Sequence, residues 1–153
     1  DAFKFAKMGG TIDLTCGESE SKFHSVADAV KKAKEEGVPM EKVTMSSDGQ
    51  GSWSNYDAEG KLVEIGVSDV DTIYRQIVYM AKEENMDFEE LLALGTKNPA
   101  MALELYPKKG AVKEESDADI LIMNEDLSLD TVIAMGVPMM RDGKILKKGT
   151  YEK

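Results

Sequence analysis

The chain has 153 residues, enough for one domain with a hydrophobic core or for one and a half smaller ones. Its hydrophobic fraction of 42% and its charged fraction of 31% are typical of a soluble globular protein. The net charge of −10 disfavours a nucleic-acid partner, because no basic patch offsets the acidity. No apolar run is long enough to cross a bilayer, so the sequence predicts no membrane partner either.

Cysteine and histidine each occur once in the chain. Cys16 has no second cysteine with which to form an internal disulfide, which suits a reducing compartment, and we expect the protein to be cytoplasmic. A nucleophilic thiol needs an activating base, and no pairing motif accompanies His24. A buried or incidental thiol is therefore the favoured interpretation of Cys16.

The first residues are typical of a helix that is already under way. Residues 2–8 end at the helix-stopping pair Gly9-Gly10, and Asp1 is not an initiator methionine. We therefore expect the chain to be a fragment of a longer protein.

A strand–helix–strand unit follows. Residues 11–15 have strand-like β-branched character, residues 22–36 carry apolar side chains at helical spacing, and residues 43–45 form a second short apolar run. This order predicts one βαβ unit of a parallel sheet.

The central part of the chain predicts a hairpin and then three helices. A turn at residues 57–60 indicates that residues 53–67 form a loose hairpin. Ser68 and Asp71 fit a capping box that opens the first helix. The second helix is predicted to begin at Asp87, and Asn98 is predicted to cap the third, with proline at its first position.

From Gly110 onwards helical periodicity gives way to short β-rich runs, at residues 120–123, 131–134 and 138–141. The last run continues into Asp142-Gly143, a two-residue hairpin signal, because this dipeptide tolerates the positive φ angles of a type I′ turn. The sequence therefore predicts a small β-rich region at the end of the chain.

The stretch from Lys42 to Ser52 contains the residue with the strongest catalytic signal. It reads as a strand that enters a turn rich in serine, aspartate and glycine, with Asp48 at the exit. An α/β barrel places its catalytic groups at such strand exits. Aspartate and serine before glycine are also ordinary turn formers, and these residue types alone favour a structural Asx-turn at Asp48.

The run Ser46-Ser47-Asp48-Gly49-Gln50-Gly51-Ser52 resembles the isoaspartyl dipeptidase (β-aspartyl peptidase) family of the metal-dependent amidohydrolase superfamily. The segments at 9–15, 65–67 and 148–152 are similar to the same family. The resemblance implies an α/β fold: the C-terminal strands and helices of a TIM-type (β/α)8 barrel over residues 1–105, then part of a small β-sandwich domain over residues 106–153.

The same resemblance assigns roles to two residues. It implies that Asp48 ligates one metal and passes a proton from the attacking hydroxide to the leaving amine, and that Ser52 contacts the bound dipeptide. From the sequence alone, a loop-closing hydroxyl is an equally good interpretation of Ser52. The implied cofactor is a binuclear zinc centre.

Most ligands of such a centre are expected to lie before Asp1. Zinc sites of this kind need several imidazoles, and the single His24 is predicted to face solvent or to pack on its helix. We therefore expect this chain to supply the last part of an active site and to be inactive by itself.

Two alternatives remain open at this point. In the first, the chain is a fragment of another amidohydrolase, either dihydroorotase-like or deacetylase-like. In the second, it is a non-enzymatic acidic α/β binding module. Two parallel strands rarely form a stable sheet alone. The expected partners are therefore the N-terminal portion of the same protein, further copies in a homo-oligomer, and a dipeptide substrate.

Overall fold

The computed structural model of the chain describes residues 1–17 and 19–149. Residues 150–152, which close the last motif quoted above, lie outside the described residues. No helix in these two ranges is both long and apolar enough to cross a membrane.

A parallel pair of strands follows the first helix, α1 (Ala2–Lys7). Strand β1 (Ile12–Thr15) pairs with β2 (Val43–Ser46), and α2 (Glu20–Glu35) connects them. Ser19 is the N-cap residue of α2, and its side chain accepts a hydrogen bond from the Lys22 N–H at 3.2 Å. The predicted βαβ unit is confirmed. This unit is what one repeat of an α/β barrel contains, so the mixed α/β structure is consistent with part of such a barrel.

The two faces of this parallel pair differ in chemistry. Ile12, Val43 and Met45 lie on the face that packs against the helices and are buried. The opposite face carries polar side chains, with Asp13 exposed. The helices complete the hydrophobic core with Val26, Ala27, Val30, Ala33, Ile77, Met80, Leu91 and Leu94.

The predicted hairpin is confirmed. Strands β3 (Ser52–Tyr56) and β4 (Leu62–Val67) pair antiparallel. Gly60 adopts φ of 79° in the connecting turn, a conformation that glycine adopts without a steric cost. Most of the hairpin is exposed in this structure.

Three helices follow: α3 (Thr72–Lys82), α4 (Phe88–Gly95) and α5 (Lys97–Ala102). The capping box predicted at Ser68 is wrong, since α3 begins at Thr72 with Asp71 as its N-cap residue. Ser68 is buried instead, and its N–H donates to the Gly51 carbonyl at 2.9 Å. The hairpin has extended its hydrogen-bond ladder onto Ser68, which leaves the helix to begin later.

Asn98 is not a helix cap, because α5 begins one residue before it. Its side chain is buried, and Nδ2 donates to the carbonyls of Met40 and Val43, both at 2.8 Å. These two hydrogen bonds anchor α5 to the short 3-10 helix Met40–Lys42 and to the start of β2.

The end of the chain forms a four-stranded antiparallel sheet of β5 (Ile120–Met123), β6 (Leu129–Ala134), β7 (Val137–Arg141) and β8 (Lys144–Ile145), in that order. The β7–β8 turn has φ of 49° at Asp142 and 69° at Gly143, as predicted for a type I′ turn.

The Tyr74 hydroxyl of α3 donates to the Leu127 carbonyl beside this sheet at 2.9 Å. The second layer of the predicted sandwich, and the domain boundary at residues 105–106, stay predictions.

Candidate active site

Asp48 lies in the loop that leaves β2 at its carboxyl end. Its side chain is exposed, and its backbone adopts φ of 48°. Few residues other than glycine occupy this left-handed region, and aspartate and asparagine are among those that do so most readily. The surrounding loop must therefore hold the backbone in place.

Backbone hydrogen bonds fix this loop against the base of the hairpin. The Gly51 N–H donates to the Asp48 carbonyl at 2.8 Å and closes a tight turn. The Gln50 N–H donates to the Ser68 carbonyl at 2.8 Å, while the Gly51 carbonyl accepts from Ser68. The Asp48 loop and the β3–β4 hairpin are thus one hydrogen-bonded unit.

Both glycines of the motif are required by close approach rather than by positive φ. A Cβ atom on Gly51 would lie 2.7 Å from the Asp48 Cγ and Oδ1 atoms. A Cβ atom on Gly49 would lie 2.8 Å from the Val70 Cγ1 atom. The positive φ angles occur at Asp48 and Gln50 instead. Gly51 therefore leaves room for the Asp48 carboxylate to fold back over its own turn.

Ser52 is the first residue of β3 and is exposed. It pairs with Val67 at the base of the hairpin, directly after the turn that Asp48 begins. The structure thus brings the two predicted site residues to opposite ends of one short turn. The roles of Asp48 as catalyst and metal ligand, and of Ser52 as a substrate contact, stay predictions.

A carboxylate that the sequence analysis missed lies on the polar face of the parallel pair. The Thr44 hydroxyl donates to Asp13 Oδ1 at 2.7 Å, and the Ser46 hydroxyl donates to Asp13 Oδ2 at 2.5 Å. The parallel register sets Asp13 beside Thr44, with Ser46 one step further on the same face. No local sequence signal links Asp13 to Thr44 and Ser46, because the cluster depends on pairing between distant segments.

His24 packs on the outer helical layer, as predicted. Its Nδ1 atom lies 2.7 Å from the Tyr79 hydroxyl and 3.8 Å from Glu84 Oε1. Among the residues that the structure describes, no three His, Cys, Asp or Glu side chains form a group that could hold a metal. The described donor set therefore does not fit a binuclear zinc centre by itself, and Asp48 would be one ligand among several supplied from elsewhere.

Cys16 is buried, as predicted, with an exposed fraction of 3%. Burial, reinforced by the nearby Asp13 carboxylate, raises the pKa of its thiol to about 12. The thiol is protonated at neutral pH, which argues against a nucleophilic role.

A cavity of about 1130 Å³ opens between the hairpin base and the four-stranded sheet. Its described lining comprises Gln50, Val67, Ser68, Asp69, Val70, Asp71, Tyr74, Leu129, Val132, Met139, Met140, Ile145, Lys147 and Lys148. Gln50 of the Asp48 loop and Ser68 at the hairpin base line this cavity, whereas Asp48 and Ser52 do not, so the cavity adjoins the candidate site without contacting its two predicted residues.

Comparison with known families gives one match that spans most of the chain. The sequence model of the Amidohydrolase family matches residues 4–146.

Solved structures are similar over nearly the whole chain. β-Aspartyl dipeptidase from thermophilic keratin-degrading Fervidobacterium islandicum AW-1, in complex with a β-Asp-Leu dipeptide, matches with a TM-score of 0.80 and 35% identity, over 97% of this chain and 38% of that chain. A second structure of that dipeptidase matches with a TM-score of 0.74 and 32% identity, over 97% of this chain and 36% of that one. The chain thus spans well under half the length of these relatives.

A more distant match shows the fold alone. N-acetylglucosamine-6-phosphate deacetylase from Pasteurella multocida has a TM-score of 0.58 at 16% identity, over 75% of this chain and 34% of that chain.

The resemblance inferred from the Asp48 motif is confirmed by the family match and by the two dipeptidase structures.

Proposed function

Because the chain belongs to the amidohydrolase family, we propose that it is the C-terminal portion of a hydrolase that cleaves β-aspartyl (isoaspartyl) dipeptides. The observation that supports this best is the similarity, over nearly the whole chain, to a dipeptidase solved with β-Asp-Leu bound. Family membership also favours an enzyme over the non-enzymatic acidic binding module.

Asp48 is the proposed proton-transferring group. Hydrolysis of an amide needs a base that takes a proton from the attacking water and an acid that returns one to the leaving amine. An exposed carboxylate at a strand exit, held by a turn closed through Gly51, suits both tasks. Ser52, exposed at the other end of the turn, is proposed to donate a hydrogen bond to the dipeptide.

Zinc is part of the proposal, although the described donors do not fit a binuclear centre by themselves. A bound zinc ion would lower the pKa of its water to about 7. We propose that Asp48 contributes one ligand and that the remaining ligands come from the N-terminal portion of the protein. Metal analysis of the whole protein and of the isolated chain tests this, since zinc should be retained only by the whole protein.

Open strand edges support two further parts of the proposal. In the described residues, β1 and β2 pair only with each other, so each leaves one edge unpaired. Such edges pair readily with other strands. We propose that the N-terminal portion of the protein, or a further copy in a homo-oligomer, covers them.

The test of the proposed role is Asp48→Asn in the protein that contains both portions. Asparagine has the same shape and tolerates the left-handed backbone, but it cannot take up a proton. We expect kcat/KM for β-Asp-Leu to fall by roughly 100- to 10,000-fold, the usual contribution of a general acid–base group. Asp57→Asn, in the hairpin turn, is the matched control and should leave the rate unchanged.

Two results would contradict the proposal. The first is a variant at Asp48 that keeps wild-type activity. The second is a wild-type protein that hydrolyses a cyclic amide or an N-acetylated sugar but no β-aspartyl dipeptide, which would favour the dihydroorotase-like or deacetylase-like alternative. The isolated 153-residue chain should show no turnover.

A further inference from the structure

We propose that Asp13 is a positioning residue that fixes the exit of β2 and thereby the loop that carries Asp48. Its importance for catalysis depends on the proposed function of Asp48, but the structural part of the inference does not. Asp13 lies in the segment 9–15 that resembles the family, but the resemblance assigns it no role, and it contacts neither Asp48 nor Ser52 in the described hydrogen bonds.

The geometry of the cluster supports this role. One carboxylate accepts two hydroxyl hydrogen bonds from the neighbouring strand, one oxygen to each, from Thr44 at 2.7 Å and from Ser46 at 2.5 Å. Hydrogen bonds to an ionised acceptor are shorter and stronger than those between neutral groups. Both Asp13 oxygens are thus engaged in holding β2.

The hydrogen bond from Ser46 to Asp13 matters because of where Ser46 lies in β2. Ser46 is the last residue of β2, and its carbonyl accepts the final ladder hydrogen bond, from the Cys16 N–H at 2.8 Å. Beyond it the chain turns away into the Asp48 loop. The Asp13 contact therefore holds the strand at the last point before the loop begins.

The far end of the same loop is held by different contacts. Gln50 and Gly51 are bonded to Ser68 at the hairpin base. At the near end, next to Ser46, the Thr72 hydroxyl adds a weaker contact, since it lies 3.4 Å from the carbonyls of both Ser47 and Asp69. Asp13 and the hairpin base therefore fix the two ends of a short segment whose centre is Asp48, which is how supporting residues commonly orient a catalytic group.

The experiment compares Asp13→Asn with the wild type in the protein that contains both portions. Asparagine keeps one acceptor oxygen but loses the charge and the second acceptor. Hydrogen–deuterium exchange reports local opening of the backbone without any need for activity. We expect amide exchange in residues 46–51 to become about tenfold faster, with exchange in α2 unchanged.

The catalytic readout separates positioning from substrate binding. We expect kcat for β-Asp-Leu to fall roughly 10- to 100-fold, as for other residues that orient a catalytic group. KM should change less than about threefold, because Asp13 does not touch the substrate. Asp28→Asn, on the exposed side of α2, makes the same chemical change on the opposite side of the strands and should alter neither quantity.

Ser46→Ala removes one of the two donors and should give a smaller effect in the same direction. The double variant Asp13→Asn/Ser46→Ala should be no worse than Asp13→Asn alone, because both changes break one interaction. Unchanged exchange in residues 46–51, or exchange raised equally throughout the protein, would overturn the inference.

Failure of the proposed function has a different signature. A wild-type protein without β-aspartyl hydrolase activity contradicts that function, while the exchange measurement still decides whether Asp13 fixes the loop. Asp48→Asn should lower kcat/KM by roughly 100- to 10,000-fold and leave exchange in residues 46–51 unchanged.

Discussion

At the scale of single residues, Gly51 controls where the Asp48 carboxylate can lie. In Gly51→Ala the new Cβ would meet the Asp48 side chain at 2.7 Å, so the carboxylate must move. We expect kcat to fall about tenfold or more, because a displacement of about 1 Å at a reacting group is costly. Steady-state kinetics would measure this.

Gly95→Ala is the matched control for the Gly51 variant. Its Cβ would lie 2.9 Å from Ile73 Cγ2, a similarly close approach outside the candidate site. It should lower the free energy of unfolding without a comparable loss in kcat. Equal losses of kcat in both variants would contradict the specific role of Gly51.

Cys16 gives a second prediction at this scale. With its pKa raised to about 12 by burial, the thiol should react with a disulfide reagent at pH 8 only when the protein opens locally. Labelling of the native protein should therefore be slow and should become fast in denaturant. Stoichiometric labelling of the native protein within seconds would show that the thiol is accessible.

The sequence identified Asp48 and Ser52 because their motif is continuous. It did not identify Asp13, because its partners Thr44 and Ser46 are brought to it only by the parallel register. Glycines in such a turn are usually favoured because they accept positive φ, but Gly49 and Gly51 do not adopt it. The structure shows them to be sites of close packing, which depends on neighbours that the local sequence does not contain.

At the scale of secondary-structure elements, Asn98 fastens α5 to the strand that leads to Asp48. Asn98→Ala would leave the Met40 and Val43 carbonyls without these donors. The Met40 carbonyl keeps the hydrogen bond that it accepts from the Val43 N–H. Since an unpaired buried polar group costs about 1–3 kcal/mol, we expect the free energy of unfolding to fall by roughly 1–3 kcal/mol. Urea denaturation would measure the change.

The control for Asn98 is Asn55→Ala, an exposed position on β3. Its amide donates only to the Glu64 side chain at 3.2 Å among the hydrogen bonds described. The free energy of unfolding should change by less than about 0.5 kcal/mol. A similar loss at both positions would contradict the anchoring role of Asn98.

Turns and hairpins were predicted well at this scale, because their signals are local. The Asp142-Gly143 turn and the turn at residues 57–60 lie where the sequence places them. Helix starts were predicted less well. Ser68 and Asn98 both have good capping chemistry, but Ser68 joins the hydrogen-bond ladder of the hairpin and Asn98 donates to the carbonyls of Met40 and Val43.

At the scale of the whole molecule, ion pairs connect the helices: Lys34 of α2 pairs with Glu90 of α4, and Lys31 of α2 pairs with Glu84, which follows the end of α3. Lys31 Nζ lies 2.5 Å from Glu84 Oε2. This hydrogen bond to Lys31, with a second from Tyr79, lowers the pKa of Glu84 below its ordinary value of 4.5, and the same contact raises the pKa of Lys31 above 10.5. Glu84 and Lys31 are therefore both charged between pH 4.5 and pH 10.5.

The sign of the pH effect follows from these shifts. Because the Glu84 pKa is lowered on folding, its contribution to stability is present above about pH 4.5 and is lost as the pH falls through the folded-state pKa. The Lys31 contribution is lost only as the pH rises above 10.5.

We expect Glu84→Gln to reduce the loss of stability between pH 6 and pH 3 relative to the wild type, in urea denaturation at several pH values. Glu59→Gln, exposed in the hairpin turn, is the control and should follow the wild-type profile. An acid dependence that is the same in Glu84→Gln and the wild type would show that the ion pair contributes nothing measurable.

The sheet topology also bears on the order in which the chain folds. Within residues 1–17 and 19–149, the four C-terminal strands pair only with sequence neighbours, over residues 120–145, whereas the partners Asp13 and Thr44 lie 31 residues apart. Local pairings close small loops and form quickly, while distant ones must first overcome a larger loss of chain entropy. In pulse-labelled refolding, amides of the C-terminal sheet should become protected first. The Asp48 loop would then be among the last parts of the chain to reach its final conformation.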